Sequence, residues 1–272
     1  MERVLAFARL VRRQVRSERL WKAARPAYWK LVSGMTRRRG LAMQLSDGHR
    51  YRLDARLYAW QPELYEPPVV SRLLAELRPG SVFWDIGAHV GLITLMAARA
   101  LDDGGQVCAF EPSPSNATLL RRHLVANGLA SRVAVHEVLV GERCSDAVGC
   151  AYRPGECTAN SLAYEIEGAA SAHVRMVTID QMVSSQLCPP PDVLKIDVEG
   201  YEHHVLSGGR AVLKEYAPIV ICAIHPEPLN QLGSSPADVL DEMRKLGYQA
   251  CDLNGAPIST AGFEEIVFRK PR

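Results

Sequence analysis

A chain of 272 residues with 47% hydrophobic and 23% charged residues can build one large α/β domain around a buried core and is short for two. A formal net charge of +2 argues against a dedicated nucleic-acid binder. The seven cysteines are odd in number, widely spaced and contain no C-x-x-C pair, which argues against a disulfide framework or a zinc site and for a reducing cytosol.

Residues 1–40 stand apart. Arg3, Arg9, Arg12, Arg13 and Arg16 alternate with Val4, Leu5, Phe7, Leu10 and Val11 at three- to four-residue intervals, the pattern of a basic amphipathic helix. The favoured reading is an extension packed on the domain with a solvated arginine face. The other is peripheral contact with an anionic membrane surface, or a lid. Arginines interrupt the start before a leader-like stretch develops, and no apolar run reaches the roughly 20 residues that span a bilayer. A cytoplasmic protein is expected, with its domain over 41–272.

Residues 41–58 read as a hairpin turning at Asp47-Gly48. From Ser81 onward, apolar runs alternate with helical patterns. The strands are Ser81–Ile86, Gln106–Phe110, Arg132–Val140, Val193–Asp197 and Ile219–Ile224; the helices fall at 91–101, 114–126, 200–215 and 236–246. Near-continuous apolar strands separated by helices imply a mostly parallel sheet covered on both faces, here seven-stranded and Rossmann-like. Gly247–Leu253 and Glu264–Arg269, with a turn at Asn254-Gly255, close it as an antiparallel edge pair. Cys108 and Cys222 lie in apolar runs and read as small buried hydrophobes. The polar stretch 141–171, with Asn160 and Ser161, reads as a long loop suited to substrate contacts.

The first strand runs into Asp85-Ile86-Gly87-Ala88-His89-Val90-Gly91. Gly87 and Gly91 permit a tight turn and close approach of a ligand past Ala88, at the positive end of the next helix. The second strand ends in Glu111-Pro112, twenty residues past Gly91, where a carboxylate can bind ribose hydroxyls. The spacing D-x-G-x-x-x-G is looser than a pyrophosphate cradle needs. With an acidic residue before the glycines, it suits the cationic nucleoside S-adenosylmethionine (SAM) better than a dinucleotide. Ser113 and Pro114 read as N-cap and first residue of the following helix, and Asn127-Gly128 as its stop.

Lys195-Ile196-Asp197-Val198-Glu199-Gly200-Tyr201-Glu202 crowds four charges at the end of an otherwise buried strand. Such charges cost several kcal/mol each to bury unless they pair or meet a ligand. Taken in order, Trp84–Gly91, Phe110–Pro114, Val177–Asp180 and Leu194–Glu202 resemble the FkbM-type methyltransferases over about residues 65 to 268. The resemblance implies a class I SAM-dependent fold and O-methylation of a hydroxyl on a sugar, glycolipid or polyketide-like product. It also implies that Asp85, Gly87 and Gly91 shape the SAM pocket, that Glu111 binds the ribose, and that Asp197 and Glu199 flank the methyl group and acceptor. The sequence departs from the family at His89, where Asn is frequent, and the resemblance does not reach the basic extension.

An alcohol is a poor nucleophile until its proton leaves, so a base or a metal is expected. His225 follows the strand Ile219–Ile224 at the same rim of the sheet, and an ordinary histidine pKa of about 6.5 suits a base. The competing reading is a loop histidine before Pro226. Asp197, Glu199 and Glu202 are instead candidates for Mg²⁺, a hard cation, with Lys195 offsetting part of their charge. His203 and His204, adjacent on a helix, diverge. The alternatives are an NAD-linked oxidoreductase on the same sheet and a non-catalytic lipid- or membrane-surface protein.

Overall fold

The structure is a computed structural model, which describes residues 40–101, 104–152, 170–262 and 264–271. The expected basic helix lies outside these residues, as do Asn160 and Ser161. No helix among the described residues is long and apolar enough to cross a membrane.

Strands β1 (Leu41–Gln44) and β2 (Arg50–Leu53) form the expected hairpin, tied at its turn by the Asp47 carboxylate, which accepts from the His49 amide (2.9 Å) and the Tyr51 hydroxyl (2.6 Å). The hairpin is shorter than 41–58. The Asp54 side chain caps a 3-10 turn, Ala55–Trp60, by accepting from the Arg56 amide, and pulls the chain out of extended geometry. Helix α1 (Pro67–Glu76), which the sequence reading passed over, starts on two prolines and buries Val69, Val70 and Leu73.

The alternating part follows as β3 (Val82–Ile86), α2 (Leu92–Ala100), β4 (Gln106–Phe110), α3 (Pro114–Ala126), β5 (Val133–His136), β6 (Leu139–Val140), β7 (Ser145–Tyr152), β8 (Ala170–Val177) and α4 (Ile179–Ser184). It continues as β9 (Val193–Ile196), α5 (Glu202–Ser207), α6 (Arg210–Glu215), β10 (Ile219–Ile224), α7 (Pro226–Gln231), α8 (Pro236–Lys245), β11 (Gln249–Cys251) and β12 (Glu264–Arg269). Seven strands form one sheet in the order β11-β12-β10-β9-β3-β4-β5. The run from β5 to β10 is parallel, and β12 is antiparallel to both its neighbours. The fold is Rossmann-like α/β with the expected antiparallel edge. Side chains alternate along each strand: Phe83, Val107, Val193 and Ile221 enter one apolar layer, and Trp84, Cys108, Leu194 and Cys222 the other.

Three expectations need correction. Arg132–Val140 is not one strand, because β6 leaves the main sheet to pair with β8 (Leu139 with Met176) in a small sheet ordered β6-β8-β7. The stretch 141–171 is accordingly no simple loop: it carries β7 and the start of β8. The helix expected over 200–215 breaks at Gly208-Gly209, where the Asp180 carboxylate accepts from the Ala211 and Val212 amides (3.1 and 2.9 Å) and starts α6 anew.

Candidate active site

Parallel pairing places Asp85 beside Lys195 on β3 and β9. Both side chains are almost fully buried. The period of two along β9 puts Asp197 on the same face as Lys195, whose ammonium donates to Asp197 Oδ2 at 2.8 Å. One Asp85 oxygen accepts from the Thr94 hydroxyl at 2.5 Å. Burial pushes the Asp85 carboxyl above the usual range against the pull of Lys195. Burial would do the same to Asp197, but the adjacent ammonium outweighs it and holds that carboxyl low. Lys195 shows the reciprocal balance: burial lowers its pKa, while Asp197 and Glu66 lead the charges that raise it well above normal.

His225 ends β10 one strand further along, and is the residue before α7 rather than a free loop histidine. Its Nδ1 lies 2.8 Å from Glu202 Oε1, which also accepts from the Gly200 amide at 2.9 Å. A carboxylate offers only lone pairs, so Nδ1 is the donor and the ring's lone pair lies on Nε2. Nε2 points between Asp197 and Glu199, 3.8 Å from each. Burial lowers the His225 pKa, but the Glu202 hydrogen bond and the charges of Glu202, Asp197 and Glu199 raise it above the ordinary value overall. Glu199 is held with φ of +51°, a conformation rare outside glycine, which aims its half-buried carboxylate into the group.

The expected metal set is therefore corrected. Glu202 turns away to hold His225, and the ligand atoms that converge within 4.8 Å belong to Asp197, Glu199 and His225. His203 bonds the Ser234 hydroxyl at 3.0 Å, and His204 stacks on Tyr201; neither joins the site.

Beside β9, the glycine bend follows β3 as expected, and Asp85 and Glu111 end neighbouring parallel strands. Gly87 and Gly91 both have φ of +87°, but the space they open is taken by protein rather than left for a ligand. A Cβ on Gly87 would sit 1.9 Å from the Asp197 carbonyl oxygen, and one on Gly91 2.1 Å from Leu120 Cδ1. The glycines let the β3 loop, the β9 loop and α3 pack against one another, with the Gly87 and Ala88 amides both donating to the Phe110 carbonyl. Glu111 is buried and already accepts from the His89 amide (2.8 Å), the Ser113 amide (2.9 Å) and Asn116 Nδ2 (3.4 Å). His89 has φ of +53°, a region that Asn and His tolerate better than most residues, so His in place of Asn keeps the turn. Pro112 lies between Glu111 and the Ser113 cap of α3, half-buried.

The sequence reading missed the far wall. Glu66 and Tyr65, just before α1, and Glu265 on β12 act on Lys195 and Asp197 through space. Burial pushes Glu265 up to about 7. Among the described residues, Asp85 Oδ1, Glu66 Oε2, Glu202 Oε2 and Glu265 Oε2 are buried without a hydrogen-bond partner. Orphaned carboxyl oxygens around Lys195 and His225 make a cradle richer in acidic groups than in cations. A sulfonium and an ammonium on a nucleoside fit that deficit, whereas a dinucleotide diphosphate does not.

Residues 85–250 match the family described as the Methyltransferase FkbM domain. A hexuronic acid methyltransferase, AglP, from Haloferax volcanii is 28% identical over 191 residues, 70% of this chain and 73% of that protein. The 31-O-demethyl-FK506 methyltransferase FkbM of Streptomyces tacrolimicus is 43% identical over 58 residues, 21% of this chain and 22% of its own. Among solved structures, a methyltransferase FkbM from Methylobacillus flagellatus superposes with a TM-score of 0.46 at 17% identity over 90% of this chain, which spans half of that one (50%). An O-methyltransferase from Bacillus cereus in complex with SAH gives 0.44 at 15%, over 75% of this chain and 80% of its own.

Proposed function

The chain belongs to the FkbM methyltransferase family and is a SAM-dependent methyltransferase; from that premise we propose that it methylates a neutral hydroxyl, on a sugar, glycolipid or polyketide-like product, with His225 as general base. The observation that carries this reading is the Glu202–His225 pair, which fixes one imidazole nitrogen as donor and leaves the other facing Asp197 and Glu199.

SAM when bound supplies a methyl group on a positively charged sulfur, and that carbon–sulfur bond breaks as the carbon–oxygen bond forms. The chain's own residues perform the rest. The acceptor hydroxyl donates to His225 Nε2, and its proton passes there as the oxygen becomes nucleophilic. Glu202, across the ring, stabilises the resulting imidazolium, as an orienting carboxylate does in hydrolytic triads. Asp197, held by Lys195, and Glu199 position the hydroxyl and the cationic donor. Asp197 and Glu199, each 3.8 Å from Nε2, repel an anionic group at the reacting carbon, so a neutral hydroxyl is the favoured acceptor even though one relative is named for hexuronic acid.

A second reading rests on the convergence of Asp197, Glu199 and His225. A divalent cation such as Mg²⁺ held there would activate the hydroxyl directly. Chelator treatment separates the two: the base mechanism keeps its turnover, and the metal mechanism loses it.

The first experiment is calorimetric SAM binding. Wild type is expected to bind, and Asp85→Ala to bind about tenfold or more weakly, since a buried carboxyl beneath the cradle is removed. Equal binding by both proteins would remove Asp85 from the pocket.

A further inference from the structure

Away from the carboxylate rim, the fold gathers three residues that no local motif joins. Cys108 lies in the middle of β4, His136 ends β5, and Cys188 follows α4. Parallel pairing of β4 and β5 sets His136 opposite Phe110, and the two rings stack at 5.1 Å with 20° between planes, fixing the imidazole. The Cys188 segment is pinned on both sides. The Cys188 amide donates to the Met182 carbonyl at 3.1 Å, and Trp84 Nε1 donates to the Pro189 carbonyl at 3.0 Å. Cys188 Sγ then sits 3.1 Å from His136 Nε2, and Cys108 Sγ joins them, with all three ligand atoms within 4.8 Å of one another. Both cysteines are 2% exposed.

We propose that Cys108 Sγ, His136 Nε2 and Cys188 Sγ form a binding site for a thiophilic divalent cation, with Zn²⁺ as its ligand, separate from the carboxylate rim. Two thiolates and an imidazole match the ligand preference of zinc, and three protein ligands leave a fourth position for water. Binding releases the two thiol protons, and the two thiolate charges neutralise the cation, so the site can stay buried without uncompensated charge. Zinc–ligand bonds of about 2.0–2.3 Å need ligand atoms a little under 4 Å apart, which small side-chain rotations provide from the present spread. The His136 carbonyl accepts the Glu111 amide at 3.1 Å, so the cation would brace the strand end that carries Glu111. Spacings of 28 and 52 residues hide this group from sequence reading, in which the cysteines argued against a zinc site.

The test titrates Co²⁺, a spectroscopic substitute for Zn²⁺, into the full chain kept reduced with a phosphine. Native mass spectrometry of protein refolded with and without Zn²⁺ is run alongside. A thiolate-to-cobalt charge-transfer band that saturates at one ion per chain and is displaced by Zn²⁺ is expected. Cys188→Ala and His136→Ala should each weaken binding by about 100-fold or more, since loss of a ligand exceeds the loss of an outer-shell partner, and exposed Cys144→Ser should not. If Cys188→Ala fails to fold, His136→Ala and the zinc adduct of the wild-type mass carry the test. Three results would each overturn the proposal: no charge-transfer band, binding undiminished in His136→Ala, or a mass two hydrogens low with Cys108 linked to Cys188 and no metal.

Discussion

At Glu202 a single carboxylate oxygen receives both the Gly200 amide and His225 Nδ1, so one residue sets the turn after β9 and the tautomer of His225. Glu202→Gln keeps the shape and removes the charge. Turnover is expected to fall by at least about tenfold, and His225→Ala to lose about 100-fold or more, within the span of general-base catalysis. Both variants should retain SAM affinity; a parallel loss of affinity would mean that the pair shapes the pocket instead. The pH dependence follows from the same contacts. His225 is raised above the ordinary value and, as the proposed base, would work only when neutral, so kcat/KM should climb with pH through an apparent pKa above about 6.5. In Glu202→Gln that limb should move to lower pH, and an unmoved limb assigns the titration to another group. The stability linked to His225 runs in the opposite sense, being complete below the unfolded value of about 6.5 and lost as pH rises through the folded one. Asp197, held low by Lys195, contributes stability above its unfolded value of about 3.9 and loses it on acidification through the folded value.

Among the elements, the bend after β3 is where the chain has least room. Gly87→Ala combines a positive φ with a methyl 1.9 Å from the Asp197 carbonyl, and should cost about 2 kcal/mol or more in denaturant unfolding. Unaltered stability would mean that the bend relaxes freely. Helix α8 starts on a reciprocal capping box between Ser235 and Asp238, and Ser235→Ala should cost about 1 kcal/mol in the same measurement, with turnover unchanged. Such caps and glycines were legible in the sequence because they are local: Ser113-Pro114, Asn127-Gly128 and the strand that carries Asp85 read directly from spacing. Contacts between distant segments were not. Glu66 and Glu265 reach Lys195 from opposite ends of the chain, and Cys108 meets Cys188 only once β4 and the turn after α4 are packed. Glu202 was a candidate Mg²⁺ ligand with Asp197 and Glu199 as one more carboxylate, but it bonds the Gly200 amide and Nδ1 of His225 instead. The exposed side chains of β7 made that strand resemble a loop.

For the molecule as a whole, a parallel sheet delivers Asp85, Lys195, Asp197 and His225 to one rim from adjacent strands, and the antiparallel edge adds Glu265. The rim holds more buried carboxyl groups than cations, and the proposed preference for a neutral acceptor rests on that imbalance. The most direct measurement is transfer of labelled methyl from SAM to a panel of neutral and uronic acid glycosides, with SAM affinity of each protein determined by calorimetry. Wild type should place label on a neutral hydroxyl as a base-stable ether, while His225→Ala binds SAM normally and transfers about 100-fold less. Equal transfer by His225→Ala, or label confined to carboxylate esters, would contradict the account.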